Sequence, residues 1–263
     1  MGLRSDISEV LVTELKFLAF RSVRPDMKRL RWHFLALGLV SSWLVGVGRY
    51  WDVSDALWWQ QAGLGSLVYT VFMSAFLWAL VMAMQPENWT YLNVLTFVGM
   101  TAPPGLLYAL PVESLLDTES AFAANQIFLL VVSLWRVALL WQFLRRSGRL
   151  ARVPAFLALS FPLALIMAFI TLRQLQASVM SGMSGNRGQQ EREAPDIGQW
   201  IVGYVGQASI VFCPIIFIGY AITAAGIDSR KSREARQVDS NSGPPDLPNV
   251  SPHDDPSQDP PCT

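Results

Sequence analysis

The chain has 263 residues, 52% of them hydrophobic and 15% charged, against roughly 25% charged in ordinary soluble domains. That depletion excludes a conventional soluble enzyme surface, and a formal net charge of +0 offers no basic balance for nucleic acid, so no nucleic-acid partner is expected. Mean hydropathy is only +0.32 because polar ends dilute an apolar middle.

Residues 1–31 form a polar and basic leading segment. Asp6 to Phe20 reads as a short amphipathic helix with Ile7, Val10, Leu11, Leu15 and Leu18 near one face, and Asp6 with Glu9 resembles a capping box. Such a helix is expected either to lie in the inner membrane interface or to pack on the bundle from the cytoplasm. No compact apolar run with a small-residue cleavage site precedes it, so the first spanning helix is expected to act as an uncleaved insertion signal.

Residues 32–224 contain six apolar stretches, each near the roughly 20 residues that cross hydrocarbon. They run from Trp32 to Tyr50, Leu64 to Met84, Leu92 to Leu110, Asn125 to Leu144, Val153 to Leu172 and Trp200 to Ala224. None shows the polar face that recurs every three or four residues in a soluble helix. The expected fold is therefore all-α, a polytopic bundle of six transmembrane helices.

Basic residues fix the expected orientation, since basic loops stay cytoplasmic. Arg4, Lys16, Arg21, Arg24, Lys28, Arg29 and Arg31 precede span one; Arg145, Arg146, Arg149 and Arg152 separate spans four and five; Arg230, Lys231, Arg233 and Arg236 follow span six. With six spans all of these share one side, and only Arg49, Arg173, Arg187 and Arg192 face the other. Both termini are expected inside. Trp32, Trp51, Trp58, Trp59, Trp89 and Trp200 fall at span ends, where indoles anchor among headgroups.

Arg136 is the one formal charge well inside a span, about 16 Å from the outer end of span four at 1.5 Å per residue. A charge there costs at least about 2.5 kcal/mol, so it is expected to face the bundle and find acceptors. Span three supplies them in Thr101-Ala-Pro-Pro-Gly105. Pro103 and Pro104 lack N–H groups, which frees the carbonyls of Gly99 and Met100. Arg136 is expected to dock on this break; Glu113, at the outer end of span three, is the alternative partner. The contact is read either as a staple between helices or as a site for an anion or substrate. Pro162 and Pro214 are expected to kink spans five and six, and breaks in spans three and six would match an inverted repeat of three-span halves. Gln207, with Tyr204 and Ser209, lines a polar path or bonds between helices.

Enzyme motifs are incomplete. Gly182-Met-Ser-Gly185 resembles the nucleophile motif of rhomboid proteases, but His33 and His253 are the only histidines and neither is placed as its base. No HExxH or P-loop is present, and His253-Asp-Asp255 with Asp259 stands in a Pro-rich stretch that would not preorganise a metal. Cys213 and Cys262 have no metal or disulfide spacing. No cofactor, metal or catalytic residue is expected. Asn88-Trp-Thr90 matches a glycosylation acceptor but falls on the expected cytoplasmic side. Residues 225–263 read as a Pro-rich cytoplasmic tail, disordered from Asp228 onward by composition.

Tyr108-Ala-Leu-Pro-Val-Glu113, Leu116-Asp117, Ala124-Asn125 and Ser133-Leu-Trp-Arg-Val137 resemble a pattern in uncharacterised bacterial multi-span membrane proteins. The likeness covers about a third of the chain and brings no catalytic residues. The layout is also loosely similar to bacterial Yip-type proteins, which usually have five spans. The resemblance implies a bacterial inner-membrane location. The functional expectation is a non-catalytic membrane protein that organises partners or lipids. Its contacts would be the bilayer and a protein held by the tail or leading helix. The alternative is a small-solute transporter with a midplane site near Arg136.

Overall fold

In the computed structural model the described residues are 3–21, 30–50, 57–110, 112–183 and 197–241. They are helical, with no strand among them. The helices are α1 (Leu3–Leu18), α2 (Arg31–Tyr50), α3 (Trp58–Gln61), α4 (Leu64–Met82), α5 (Tyr91–Met100), α6 (Val112–Leu115), α7 (Thr118–Arg146), α8 (Arg152–Met183) and α9 (Ile197–Asn241); a 3₁₀ helix, Pro103–Ala109, follows α5. Four segments are long and apolar enough to cross a membrane: Leu64–Met82, Ala123–Arg146, Arg152–Gln176 and Gly203–Glu234. The large apolar residues left on their outer faces, among them Phe72, Phe156 and Ile222, suit a lipid surround.

Two compact units divide the chain, Met1–Ala224 and Ala225–Thr263. α9 stays helical to Asn241, past Asp228; the rest of the expected tail lies outside the described residues. Arg230, Lys231, Arg233, Glu234, Ala235, Arg236 and Gln237 are strong helix formers, and the prolines begin only at Pro244.

In the first unit, small residues set the packing. Gly38, Ser42 and Gly46 recur every fourth residue along α2 and make a stripe on which other backbones close up. A Cβ on Gly38 would stand 3.0 Å from the Gly99 carbonyl carbon of α5, and one on Gly46 would stand 2.6 Å from the Gly63 carbonyl oxygen. The Ser42 and Thr70 hydroxyls of α2 and α4 lie 3.2 Å apart, and Trp43 Nε1 donates to the Ala62 carbonyl at 2.9 Å. Gly63, with φ 71°, takes the left-handed turn that joins α3 to α4, and its missing side chain clears Trp43 and Val47 of α2.

Three connections meet at one end of this unit. Glu87 N–H donates to the Gly148 carbonyl at 3.1 Å, and the Glu87 and Arg149 side chains pair at 3.2 Å. Arg31 Nη2 reaches Thr90 Oγ1 at 3.5 Å, and Gln142 Nε2 reaches the Arg21 carbonyl at 3.5 Å. The α4–α5 turn, the α7–α8 turn and the start of α2 therefore share an end.

α1 packs on the bundle through Val10, which joins Leu30, Phe34 and Met100 in a buried cluster with Phe17 against it. Phe17 meets Phe97 edge-on, with ring centroids 6.1 Å apart, and Trp135 Nε1 donates to the Leu18 carbonyl at 3.1 Å. The apolar stripe of Ile7, Leu11 and Leu15 points away from the protein, while the inward face carries Glu14, 4% exposed. Burial pushes its carboxyl from 4.5 up to about 7.

Candidate functional site

The break in the third apolar stretch builds the site. α5 ends at Met100, and the 3₁₀ helix begins at Pro103, its first turn fixed by two prolines whose φ is preset and which donate nothing. Gly99 keeps a partner, because Ala102 N–H donates to its carbonyl at 2.9 Å. Gly105 N–H turns to the Ala102 carbonyl at 2.8 Å, and Pro104 has no N–H to offer the carbonyl of Thr101. That carbonyl is the acceptor Arg136 takes, with Nε donating at 3.1 Å. Arg136 docks on the break as expected, on the Thr101 carbonyl: the tighter 3₁₀ register gives Gly99 a partner and leaves Thr101, together with Met100, facing a proline three residues on. Gly105 lets Val45 of α2 close in, since a Cβ there would stand 2.9 Å from Val45 Cγ1, while Arg136 Nη2 would lie at an ordinary 3.4 Å.

Arg136 is half-buried and also lines a cavity of about 710 Å³. The cavity is bounded by α2, α3, α4, α5, α7 and α8, with Ser42, Thr70, Phe97, Thr101, Leu140 and Ile166 among its walls. Helix staple and cavity wall, posed as alternatives by the sequence, are both present in one residue. The described lining residues include no Asp or Glu. The hydroxyls nearby are engaged on their own helices: Thr101 Oγ1 donates to the Val98 carbonyl at 2.7 Å, Thr70 Oγ1 to the Ser66 carbonyl at 2.8 Å, and Ser133 to the Leu129 carbonyl.

The other expected residues distribute differently. Pro103 and Pro104 shape the break and are not among the cavity-lining residues. Gln207 is exposed on α9 and does not line the cavity, so it does not join Arg136. Its helix meets α8 and α4 elsewhere, through Phe217 and Tyr220 against Phe161 and a hydrogen bond from Tyr220 to the Leu80 carbonyl. Glu113 lies in α6, but its side chain is outside the described residues. Ser184 and His253 are outside them too. α8 and α9 run through Pro162 and Pro214 as single helices, so the third stretch alone is interrupted among the described residues and the pairing of broken spans three and six is not met.

The sequence reading missed the α2 and α4 contributions. Ser42, Gly46, Ser66 and Thr70 form the side of the cavity opposite Arg136's helix. The signal was available: Gly38, Ser42 and Gly46, and Ser66, Thr70 and Ser74, are both small-residue stripes at a spacing of four. No metal-holding group of His, Cys, Asp and Glu occurs among the described residues. Comparison with known proteins adds nothing to this geometry, since no protein-family model, curated protein or solved structure matches the chain.

Proposed function

We propose that the protein is a non-catalytic, six-span protein of a bacterial inner membrane, with both termini cytoplasmic, that houses a lipid or small apolar solute in the cavity beside Arg136. Four spans are long continuous helices. α2, with 20 residues, is about 30 Å long, and α5 with the 3₁₀ helix reaches about 29 Å at 1.5 and 2.0 Å per residue; both match a hydrocarbon core of about 30 Å. The turns that meet at one end carry Arg21, Arg31, Arg145, Arg146, Arg149 and Arg152, which supports that end as the cytoplasmic one.

The observation that carries the binding reading is the cavity itself. The cavity is half open, and its volume of about 710 Å³ falls in the range of small-molecule sites. Native mass spectrometry of the full chain, extracted in a mild detergent, should show a retained molecule that a cavity-filling Ser133→Trp variant loses. A parent protein that carries no adduct and binds no added apolar ligand refutes the reading.

The unwound segment beside Arg136 favours a second reading, a small-solute transporter, because interrupted helices line the sites of many transporters. Solute flux in proteoliposomes separates the two, since a holding protein binds without transport.

A further inference from the structure

The walls of the cavity differ in a way that specifies a ligand class; this inference rests on the reading that the cavity holds a bound molecule. Among its described lining residues Arg136 is the single formal charge and no carboxylate faces it. Nε is used on Thr101, which leaves the two terminal amino groups of the guanidinium for other acceptors. The Thr70, Thr101 and Ser133 hydroxyls send their protons to their own helix carbonyls, and Gln60 accepts from the Leu57 N–H at 3.0 Å. Much of the wall is apolar, with Met73, Leu77, Val132, Leu140, Leu163 and Ile166.

The exposed part of the cavity wall includes residues of α4 and α7, each of which packs on α8. Tyr69 on α4 and Leu129 and Ser133 on α7 are lining residues that stay exposed. An opening at these residues faces acyl chains, so what enters is already dissolved in lipid.

We propose that the cavity binds an anionic acyl amphiphile, a single negative headgroup on a hydrocarbon chain, with the headgroup on Arg136 and the chain along the apolar wall, entering between α4 and α7. A carboxylate or phosphate accepts two parallel N–H bonds from a guanidinium and neutralises a charge that hydrocarbon penalises. A small hydrated anion satisfies the cation but leaves the apolar wall unfilled.

The test measures binding of four probes to the full chain in a neutral detergent: palmitate, hexadecanol, phosphatidylglycerol and inorganic phosphate. Palmitate or phosphatidylglycerol should bind at least about tenfold more tightly than hexadecanol, the size of a charge-assisted hydrogen bond, and phosphate should not displace them. Whichever of the two anionic probes binds better identifies the source as free acid or phospholipid, and either supports the proposal. Arg136→Gln should bring anionic and neutral probes to equal affinity, and Arg136→Lys should restore part of the difference. Equal binding of palmitate and hexadecanol by the parent overturns the headgroup assignment while leaving the binding reading intact, and that comparison needs no variant. Displacement by phosphate overturns the amphiphile class. Failure of every acyl probe to bind sinks the underlying reading together with the proposal.

Discussion

The close backbone approach of α2 and α5 at Gly38 and Gly99 gives a sharp stability test. An Ala at Gly99 would place Cβ 2.9 Å from the carbonyl carbon and 3.0 Å from Cα of Gly38. Ordinary contacts begin near 3.4 Å, and both obstacles are backbone atoms that cannot rotate aside. α2 and α5 must therefore part by about 0.5 Å, which forfeits roughly a quarter of the dispersion energy at each contact along the seam. The expected cost is about 1–3 kcal/mol, the usual range for overpacking, read as a lowered denaturation midpoint in detergent. Gly38→Ala meets Gly99 in the same way, at 3.0 Å, so the double variant should cost less than the sum, because the first separation makes room for the second. Gly203→Ala is the control, with nothing within 4 Å of its Cβ. A Gly99→Ala protein as stable as the control would refute the close approach and with it the packing that positions Thr101.

Three further outcomes are expected. Burial favours the neutral form of Glu14 and raises its pKa from 4.5 to about 7. The packed state therefore binds the proton more tightly than the unpacked one, so its advantage is full below about pH 4.5. Up to about 3 kcal/mol is then lost as pH rises through 7. The parent midpoint should fall from pH 5 to pH 8 while Glu14→Gln stays flat, and parallel curves would contradict the assignment. Trp135→Phe removes the hydrogen bond to the Leu18 carbonyl at a cost of about 1 kcal/mol; limited proteolysis should cut α1 sooner, and an unchanged rate would show that the bond does not hold it. With Cys213 and Cys262 replaced by Ser, a cysteine at Ser120 should react with an impermeant maleimide in intact cells and one at Ser147 only after lysis; the reverse pattern would invert the topology.

Apolar length and the lack of a polar face were legible because a helix in lipid needs little else. For the same reason the sequence could place Arg136 at depth and find the proline break as its acceptor. What it could not supply was register. Whether Gly99 or Thr101 joins Met100 in losing its partner depends on whether the chain there winds as an α or a 3₁₀ helix, and the 3₁₀ segment packs closely on α2, where a Cβ on Gly48 would stand 2.7 Å from Ala109 Cβ. The direction of α1 was hidden for a related reason. Its apolar stripe suits either a membrane interface or the bundle, and in the structure Ile7, Leu11 and Leu15 point outward while Val10 and Glu14 face in. Gln207 was grouped with Arg136 by polarity alone, and polarity along a sequence carries no information about which helices become neighbours.

Arg136 is poorly explained by stability alone. Its insertion costs at least about 2.5 kcal/mol, and one charge-assisted hydrogen bond to the Thr101 carbonyl returns roughly 1.5–3 kcal/mol. The two nearly cancel, so the bundle gains little from the staple itself. A neutral donor such as Gln could meet the same carbonyl without the charge, at lower cost. What Gln lacks is the remainder of the guanidinium, which borders about 710 Å³ of cavity whose described lining residues include no carboxylate. The charge is accounted for when its counter-ion comes from outside the protein. The contact with Thr101 then acts to aim the guanidinium, holding Nε on a fixed backbone atom so that the terminal amino groups keep their direction whether the cavity is filled or empty.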